Sequence, residues 1–412
     1  MSDGPRRLEA PWLREAPLGD LLAVLDAKGE QARVVGGAVR NTLLGEARGD
    51  VDIATTALPD EVVRRVEAAG FKAVPTGIEH GTVTVVAAST PFEVTTLRED
   101  VETFGRHATV AFGRDWKRDA ERRDFTMNAL SVARDGTLHD YVGGLGDIAA
   151  RRVRFIGDAA SRIAEDYLRI LRFFRFHAAY GDGAPDPEGV AACIDGRAGL
   201  ERLSRERVRM ELMKLLVARH PVPALAVMTE TGLLEPVLGG VPLLASFANV
   251  TKLEHALALA PDAVRRLGAL AVWIVEDAQR LRERLRLANL EYERLASIAD
   301  RWWGIASDLG ERGGRALLYR LGSLRFADRV LIAWARSSKG ATDPRWRELA
   351  TLPQRWTAPV FPLKGADFLD RGVPRGPRLG SALAAAEEAW IAADFPRDRT
   401  ALAAIADAAA GA

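Results

Sequence analysis

The chain has 412 residues, of which 48% are hydrophobic and 27% charged, and its formal net charge is +1. This length exceeds what one hydrophobic core organises and predicts about two to four domains. The composition is typical of soluble globular proteins. A net charge near zero excludes a global basic field, so a nucleic-acid partner would have to be bound by local arginine clusters.

Targeting signals are absent from the sequence pattern. No apolar run approaches the roughly twenty residues of a membrane span, and the segment MSDGPRRLEAPW lacks the apolar core of a signal peptide. The single cysteine, Cys193, excludes an internal disulfide and is typical of a reducing compartment. We therefore expect a cytoplasmic protein without a membrane partner.

Short β-like runs alternate with helical patterns from residue 17 to about residue 150. The segment PDEVVRRVEAAG predicts a helix that begins at Pro59 and stops at Gly70. The strand candidates are ARVVGG, DVDIATT, FKAVPTG, GTVTVVAA, PFEVTTLR, NALSVAR and TLHDYVG. Beyond residue 158 the hydrophobic period becomes 3.6 and predicts helices only.

These patterns predict an α+β fold, with a mixed-sheet head followed by an all-α region. Breaks rich in glycine and proline divide the helical region further. The predicted segments are a head (1–150), a neck (151–220), a body (221–337) and a tail (338–412).

The most informative segment is RVVGGAVRNTLLGEARGDVDIAT, at residues 33 to 55. Asp50 and Asp52 open its second strand, where residues two apart share a face, so both carboxylates would hold a pair of Mg²⁺ ions for phosphoryl transfer. Gly36 and Gly37 would let backbone N–H groups approach a triphosphate, and Arg40 would neutralise it. An isolated Asp-x-Asp is usually a solvated turn, but its short distance from GGxxR favours a nucleotidyl-transfer site.

Two features follow this segment. Glu93, in PFEVTTLRED, would complete an acidic cluster if its strand lies beside DVDIA, and is otherwise an exposed strand carboxylate. Residues 99 to 118 combine turn glycines, mixed charges and poor periodicity. They predict a long polar loop, of a kind that is usually functional or disordered.

The segment RRDFTMNA comes next. Arg122 and Arg123 would bind phosphates, and Asp124 and Asn128 lie four residues apart on one face of a predicted helix. The alternative interpretation is an ordinary helix start with an exposed arginine pair.

In EDYLRILRFFRF, Asp166, Arg169, Arg172 and Arg175 are spaced by three and form a polar ridge along a predicted helix. A carboxylate accepts from an exocyclic amine while a guanidinium donates to the neighbouring acceptor. Cytosine and adenine offer this combination, whereas uracil and guanine present a carbonyl in place of the amine. An Asp166/Arg169 pair would therefore accept C and A and reject U and G. The alternative is a surface ion pair, common on any helix.

Taken in order, these motifs resemble those of a known family. GGAVRNTLLG, GDVDIATTALPDEV, FEVTTLRED, RRDFTMNAL, VGGLGDI, EDYLRILRFFRF and RLSRERVRMELMKLL look like the motif series of class II tRNA nucleotidyltransferases. This family lies in the polymerase-β-like superfamily, which also includes bacterial poly(A) polymerases. The resemblance covers residues 30 to 217, and Asn41, Tyr141 and Tyr167 depart from the residues usual in that family.

The resemblance implies that Asp50 and Asp52 bind catalytic Mg²⁺ and that Gly37 and Arg40 contact the incoming nucleotide. It also assigns Arg122 or Arg123 to the triphosphate, Asp166 and Arg169 to an amino-acid template for CTP and ATP, and Arg172 and Arg175 to phosphates or to the switch between bases. The predicted polar loop corresponds in position to the flexible loop that such enzymes need for the final A.

The resulting hypothesis is template-independent addition of CCA to tRNA 3′ ends, with the helical body and tail gripping the acceptor arm. One alternative is a poly(A) polymerase, or a partial enzyme that adds only CC or only A. Poly(A) relatives usually carry a GRRF-like stretch after the catalytic strand, where this chain has VPTGIEHGTVTVV. An alternative of another class is a non-catalytic tRNA-binding protein. No protein partner is implied.

Overall fold

The computed structural model describes residues 6–104 and 107–411, and the chain divides into two compact units, Met1–Val237 and Leu238–Ala412. The described strands are β1 (Ala32–Val35), β2 (Asp52–Thr55), β3 (Lys72–Gly77), β4 (Thr82–Ala87), β5 (Thr90–Thr96), β6 (Arg98–Phe104), β7 (His107–Phe112), β8 (Ser131–Ala133) and β9 (Leu138–His139).

All these strands lie in the first unit, among helices. The helices that begin in that unit are α1 (Leu18–Leu25), α2 (Gly37–Leu44), α3 (Pro59–Ala68), α4 (Trp116–Glu121), α5 (Gly144–Ala149), α6 (Ala159–Glu165), α7 (Leu168–Tyr180), α8 (Pro187–Asp195), α9 (Arg205–Leu216), α10 (Pro221–Glu230) and α11 (Glu235–Leu238). Those of the second unit are α12 (Leu244–Ala256), α13 (Ala263–Ala271), α14 (Val275–Leu285), α15 (Asn289–Ala299), α16 (Gly310–Arg336), α17 (Pro344–Ala350), α18 (Leu352–Arg355), α19 (Gly365–Leu369), α20 (Pro377–Ala392) and α21 (Arg399–Gly411).

Seven strands form one mixed sheet in the order β3-β4-β5-β2-β1-β8-β9, with β2 and β5 parallel and the other neighbours antiparallel. Helices α1 and α3 pack against this sheet. A separate buried cluster joins Val35, Ala54, Leu97 and Trp116. The predicted α+β fold, with a mixed-sheet head ahead of an all-α region, is confirmed, and the helix predicted from Pro59 is α3.

The prediction of a polar loop over residues 99 to 118 is wrong. Strands β6 and β7 pair as an antiparallel hairpin, with Arg98 opposite Phe112 and Phe104 opposite His107, and α4 follows. Residues 105 and 106 lie outside the described part of the chain. Hairpin pairing satisfies the backbone of both strands locally, so it does not require the alternating apolar pattern that a buried strand shows.

The helical region of the first unit contains a break that periodicity does not show. Helix α6 ends at Glu165, Asp166 has extended backbone (φ −155°, ψ 105°), and α7 begins at Leu168. Helix α7 packs against α9 and α10. Cys193 lies fully buried on α8, and burial raises the pKa of its thiol.

The second unit has its own core. Helix α12 packs on α13 and α16, and α15 packs on α13, α14 and α16. Two buried carboxylates stabilise this arrangement, since Glu254 is ion-paired with Arg265 and Arg266, and Asp328 with Arg265 and Arg294. Within residues 6–104 and 107–411, no helix is both long and apolar enough to cross a membrane.

Candidate active site

The chain turns sharply where β1 ends. Gly36 adopts φ 67° and ψ −120°, a backbone conformation that glycine adopts without strain but other residues do not, and it precedes the first residue of α2, Gly37. The amide of Gly36 donates to the carbonyl of Leu130 (3.2 Å). Because Gly37 is already helical, only Gly36 needs to be glycine for conformational reasons. Close approach of a nucleotide to Gly37 stays a prediction.

Two carboxylates lie side by side on adjacent strands next to this turn. Asp52, the first residue of β2, is the register partner of Glu93 on the parallel strand β5. Both residues are exposed. The sequence predicts that Glu93 completes an acidic cluster if its strand lies beside β2, and β5 does lie beside β2. Adjacent strands lie about 4.8 Å apart, which places the two side chains within reach of one cation.

Asp50 is placed differently from the prediction. It lies two residues before β2, exposed, directly after Gly49, where the backbone has φ 72°. Asp50 lies outside the strand, because sheet pairing begins only at Asp52, opposite Val35. Exposed Asp50, buried Val51 and exposed Asp52 still alternate, so a shared metal-binding role of the two aspartates stays a prediction. The negative charge of Asp50 nevertheless contributes to the raised pKa of Asp52.

Two of the three charges that act on Asp52 are negative. Partial desolvation raises the pKa of Asp52, and the negative charges of Glu93 and Asp50 raise it further, while Arg123 opposes them. A bound cation would relieve this repulsion. Among the described residues, no three side chains of the His, Cys, Asp and Glu types converge closely enough to hold an ion. The donors fit Mg²⁺ all the same, since that ion is usually held by one or two carboxylates, with substrate phosphates and water completing its coordination.

Arg40, on α2, is 6% exposed and donates only to neutral oxygens in the described part of the chain. Its Nε and Nη2 donate to Asn41 Oδ1 (3.1 and 2.9 Å), Nη1 donates to Asn128 Oδ1 (2.5 Å), and Nη2 also donates to the hydroxyl of Tyr180 (2.8 Å). Burial lowers the pKa of the guanidinium. The charge of Arg40 is thus held beside the Gly36 turn without a carboxylate hydrogen-bonded to it.

Arg122 and Arg123 both bind the buried carboxylate of Asp119. Arg122 donates from Nε and Nη2 to Oδ1 (2.9 and 2.8 Å), and Arg123 donates from Nη2 to Oδ2 (3.2 Å). Although burial alone would raise it, these two guanidinium groups hold the pKa of Asp119 below its ordinary value. Arg123 also donates to the carbonyl of Asn128 (3.5 Å), and a Cβ on Gly36 would lie 3.5 Å from its Nη1. Of the two arginines, Arg123 therefore lies beside the glycine turn.

Asp124 and Asn128 do not share a helical face, and that prediction is wrong. Phe125 between them is extended (φ −123°, ψ 145°) and forms an isolated β-bridge with Phe155, so only a short 3-10 helix, Thr126–Asn128, follows. The two side chains still meet, because Asn128 Nδ2 donates to Asp124 Oδ1 (3.0 Å).

Asp166 and Arg169 each bind another partner, so the surface ion pair between them, which was the alternative interpretation, does not form. Their joint role in reading the base stays a prediction. Arg207, on α9, donates from Nη2 to Asp166 Oδ2 (2.6 Å) and from Nη1 to Oδ1 (3.3 Å). Arg169 is ion-paired with Glu165 and donates to the carbonyl of Arg162 (2.7 Å). The break after α6 is the physical cause, since Asp166 is extended rather than one turn along the same helix.

Arg172 and Arg175 share a buried acid on α9, Glu211. Arg175 Nε lies 2.5 Å from Glu211 Oε2, and Arg172 Nη1 lies 3.6 Å from Oε1. Arg172 Nη2 also lies 2.5 Å from Asp124 Oδ2. A continuous set of polar contacts therefore runs from Arg40 through Asn128, Asp124 and Arg172 to Glu211.

Five residues at this site were missed by sequence reasoning. Arg207 and Glu211 lie in RLSRERVRMELMKLL, where their spacing of four on one helical face was an available signal. Asn41 is next to Arg40, and Asp119 lies three and four residues before Arg122 and Arg123, so local spacing was an available signal for these two as well. Tyr180 carried no signal, because its contact with Arg40 joins segments 140 residues apart.

Known protein families and solved structures match this chain in sequence and in fold. The family described as "Poly A polymerase head domain" matches residues 32–154, and "Probable RNA and SrmB- binding site of polymerase A" matches residues 184–247. The mouse protein "CCA tRNA nucleotidyltransferase 1, mitochondrial" is 34% identical over 379 residues, 90% of this chain and 86% of that protein. The chain belongs to the CCA tRNA nucleotidyltransferase family.

Bacterial members of this family are similar over comparable lengths. The CCA-adding enzyme of Limosilactobacillus fermentum is 33% identical over 371 residues, 89% of this chain and 90% of that protein. The crystal structure of the Bacillus stearothermophilus CCA-adding enzyme in complex with CTP matches with a TM-score of 0.74 and 30% identity, covering 93% of this chain and 94% of that one. The family resemblance read from the motifs is confirmed, and this family member is a nucleotidyltransferase.

Proposed function

We propose that this chain adds CMP and AMP, from CTP and ATP, to the 3′ end of tRNA without a nucleic-acid template. The observation that carries the proposal is the facing pair Asp52 and Glu93 beside the Gly36 turn, in a chain similar to CCA tRNA nucleotidyltransferases over most of its length. The partners that follow are the tRNA acceptor arm and the two nucleoside triphosphates.

The reaction joins the terminal ribose oxygen of the tRNA to the α-phosphorus of the nucleotide and breaks the bond to pyrophosphate. Asp52, with Asp50 and Glu93, would hold two Mg²⁺ ions, which supply charge stabilisation to the attacking and leaving oxygens. Arg40 and Arg123, beside the glycine turn, would neutralise the triphosphate, and Gly37 would let it approach the backbone.

Base selection is proposed to lie at the break between α6 and α7. Arg207 fixes the carboxylate of Asp166, so that it is ready to accept from the exocyclic amine of C or A. Arg169 would donate to the neighbouring acceptor on the base after leaving or sharing its contact with Glu165. Arg172 and Arg175 are proposed to act on phosphates or on the switch between bases.

We also propose a function for each of the four segments predicted from the sequence. The head (1–150) would carry out transfer, the neck (151–220) would read the base, and the body (221–337) and tail (338–412) would bind the acceptor arm. A cytoplasmic location is proposed on the single, buried cysteine, Cys193.

Incorporation of labelled CTP and ATP, separately and together, into tRNA transcripts lacking the 3′ CCA tests this function. With Mg²⁺ we expect growth by CCA that then stops, and loss of growth in Asp50→Ala or with a chelator. Growth by CC alone or A alone would identify a partial enzyme. Long A tails on any RNA would identify a poly(A) polymerase, the activity for which the matching head-domain family is named. Tight tRNA binding without incorporation would leave a non-catalytic binding role.

A further inference from the structure

Most of the hydrogen-bonding capacity of Arg40 is used within the protein. A guanidinium has five N–H donors, and four of those of Arg40 are taken by Asn41, Asn128 and Tyr180. Within the described part of the chain, one N–H on Nη1 remains, and this group and the positive charge are what Arg40 can offer to a ligand. Where that N–H points is set by the groups that hold the other four.

Tyr180 is the most distant of these groups in the sequence, and it holds Arg40 in two ways. Its hydroxyl accepts from Arg40 Nη2 at 2.8 Å, and its ring centroid lies 3.9 Å from Arg40 Cζ, within the range of a cation–π contact. Tyr180 is the last residue of α7, the helix that also carries Arg169, Arg172 and Arg175.

We infer that Tyr180 is a positioning residue that orients Arg40 toward the triphosphate of the incoming nucleotide. This inference rests on the proposed function, in which Arg40 contacts that triphosphate. Because CTP and ATP share the triphosphate and differ only in the base, the contribution of Tyr180 is the same for both nucleotides. A residue that reads the base would instead separate them.

The first test is steady-state kinetics of Tyr180→Phe, which removes the hydroxyl and keeps the ring. We expect KM to rise about three- to tenfold for CTP on tRNA lacking CCA and by the same factor for ATP on tRNA ending in CC, while kcat changes less than about twofold. Tyr180→Leu, which also removes the ring, raises KM further. Thermal unfolding of each variant shows whether it is folded.

Tyr141→Phe is the matched control. The Tyr141 hydroxyl also accepts from a buried guanidinium, that of Arg33 (3.1 Å), but neither residue has a place in the proposed nucleotide site. We expect KM for both nucleotides to be unchanged in this variant. An unchanged KM in Tyr180→Phe, a rise for only one nucleotide, or an equal rise in Tyr141→Phe would overturn the inference.

Binding of inorganic tripolyphosphate separates this inference from the proposed function. This probe has no base and requires no transfer, so its Kd reports on the triphosphate site even if the wild-type chain adds no nucleotide to tRNA. We expect Tyr180→Phe to weaken tripolyphosphate binding by the factor seen in KM. Equal Kd values for the wild type and Tyr180→Phe would overturn the role of Tyr180, whereas absent incorporation by the wild type would overturn only the proposed function.

Discussion

Three charges act on Asp52, and two of them are unfavourable for its ionised form. Glu93 and Asp50 add to the effect of desolvation in raising the pKa of Asp52, and only Arg123 opposes them. Like charges placed together do not stabilise a fold, so this arrangement supports the proposed binding of Mg²⁺.

Asp52→Asn should therefore abolish activity and leave the fold intact. Because stabilisation of the reacting phosphate through metal contributes several kcal/mol, we expect incorporation of CMP to fall about 10³-fold or more. The midpoint of thermal unfolding should not fall, since Asp52 is exposed and loses a like-charge repulsion. The matched control is Asp60→Asn, an exposed aspartate on α3, which should keep wild-type activity. Retention of more than about a tenth of the activity in Asp52→Asn would contradict the assignment.

Gly36 and Gly37 adopt different backbone conformations, so we expect substitutions at the two positions to have different effects. Gly36→Ala places a side chain at φ 67° and ψ −120°, which costs about 1–3 kcal/mol, so we expect a lower unfolding midpoint together with loss of activity. At Gly37 a Cβ would meet only Arg40 Nη2 at an ordinary 3.7 Å. Gly37→Ala should therefore keep the unfolding midpoint and raise KM for CTP. Equal midpoints for the two variants would show that the turn tolerates a side chain.

Among the elements, the break between α6 and α7 determines how Asp166 is presented. A single unbroken helix would have directed Asp166 toward Arg169, whereas its extended backbone lets the carboxylate reach Arg207 on another helix. The carboxylate is thereby fixed by a guanidinium before any nucleotide is present. In the proposed base-reading role, a carboxylate fixed in this way would lose little conformational entropy on binding.

Asp166→Asn should relax the choice of base. A good base-edge contact contributes about 1–3 kcal/mol of discrimination, so we expect the ratio of UMP to CMP incorporation to rise about 5- to 150-fold. Some transfer of CMP should remain, because the carboxylates at β2 and β5 are untouched. Asp195→Asn, at the exposed end of α8, provides the control. An unchanged ratio in a folded Asp166→Asn protein would remove Asp166 from base selection.

The elements predicted from the sequence are those whose signal is local. Strands β1, β2 and β5 alternate or bury apolar residues between turns, and α3 begins at a proline, so each could be recognised within about ten residues. The hairpin of β6 and β7 was not recognised, since the charged run in RED and the glycine of FGRH interrupt a range in which only HATVAF alternates apolar residues, at Ala108, Val110 and Phe112.

The contacts that complete the site depend on tertiary packing. Arg207 and Asp166 are 41 residues apart, and Tyr180 and Arg40 are 140 residues apart. The hydrophobic periodicity within one segment cannot predict contacts between residues so far apart in the sequence. The position of Asp50 escaped prediction for a related reason, because the strand begins where pairing with β1 begins, and that depends on the register between the two strands.

The whole molecule consists of two units with separate cores, and the tryptophans are unevenly divided between them. Of the nine tryptophans, Trp12 and Trp116 lie in the first unit and the other seven in the second. Intrinsic tryptophan fluorescence therefore reports mainly on the second unit, whereas far-ultraviolet circular dichroism reports on both. The proposed nucleotide site lies entirely in the first unit.

CTP with Mg²⁺ should stabilise only the first unit. At a concentration of about 100 times Kd, a ligand adds about 2.7 kcal/mol to the unit that binds it, or roughly 5–10 °C in unfolding midpoint for a unit of this size. We expect this shift in one circular dichroism transition and no shift in the fluorescence transition. An identical shift of both signals would show that the two units unfold as one.

The burial of Cys193 has a practical consequence for following the enzyme at work. Because the only thiol of the chain is inaccessible and its pKa is raised, maleimide dyes should leave the native protein unlabelled. Cysteines introduced at exposed positions, such as Leu58→Cys in the first unit and Leu290→Cys in the second, would then be the only reactive groups. Energy transfer between two such dyes would measure the distance between the units during successive additions, without first removing the native cysteine.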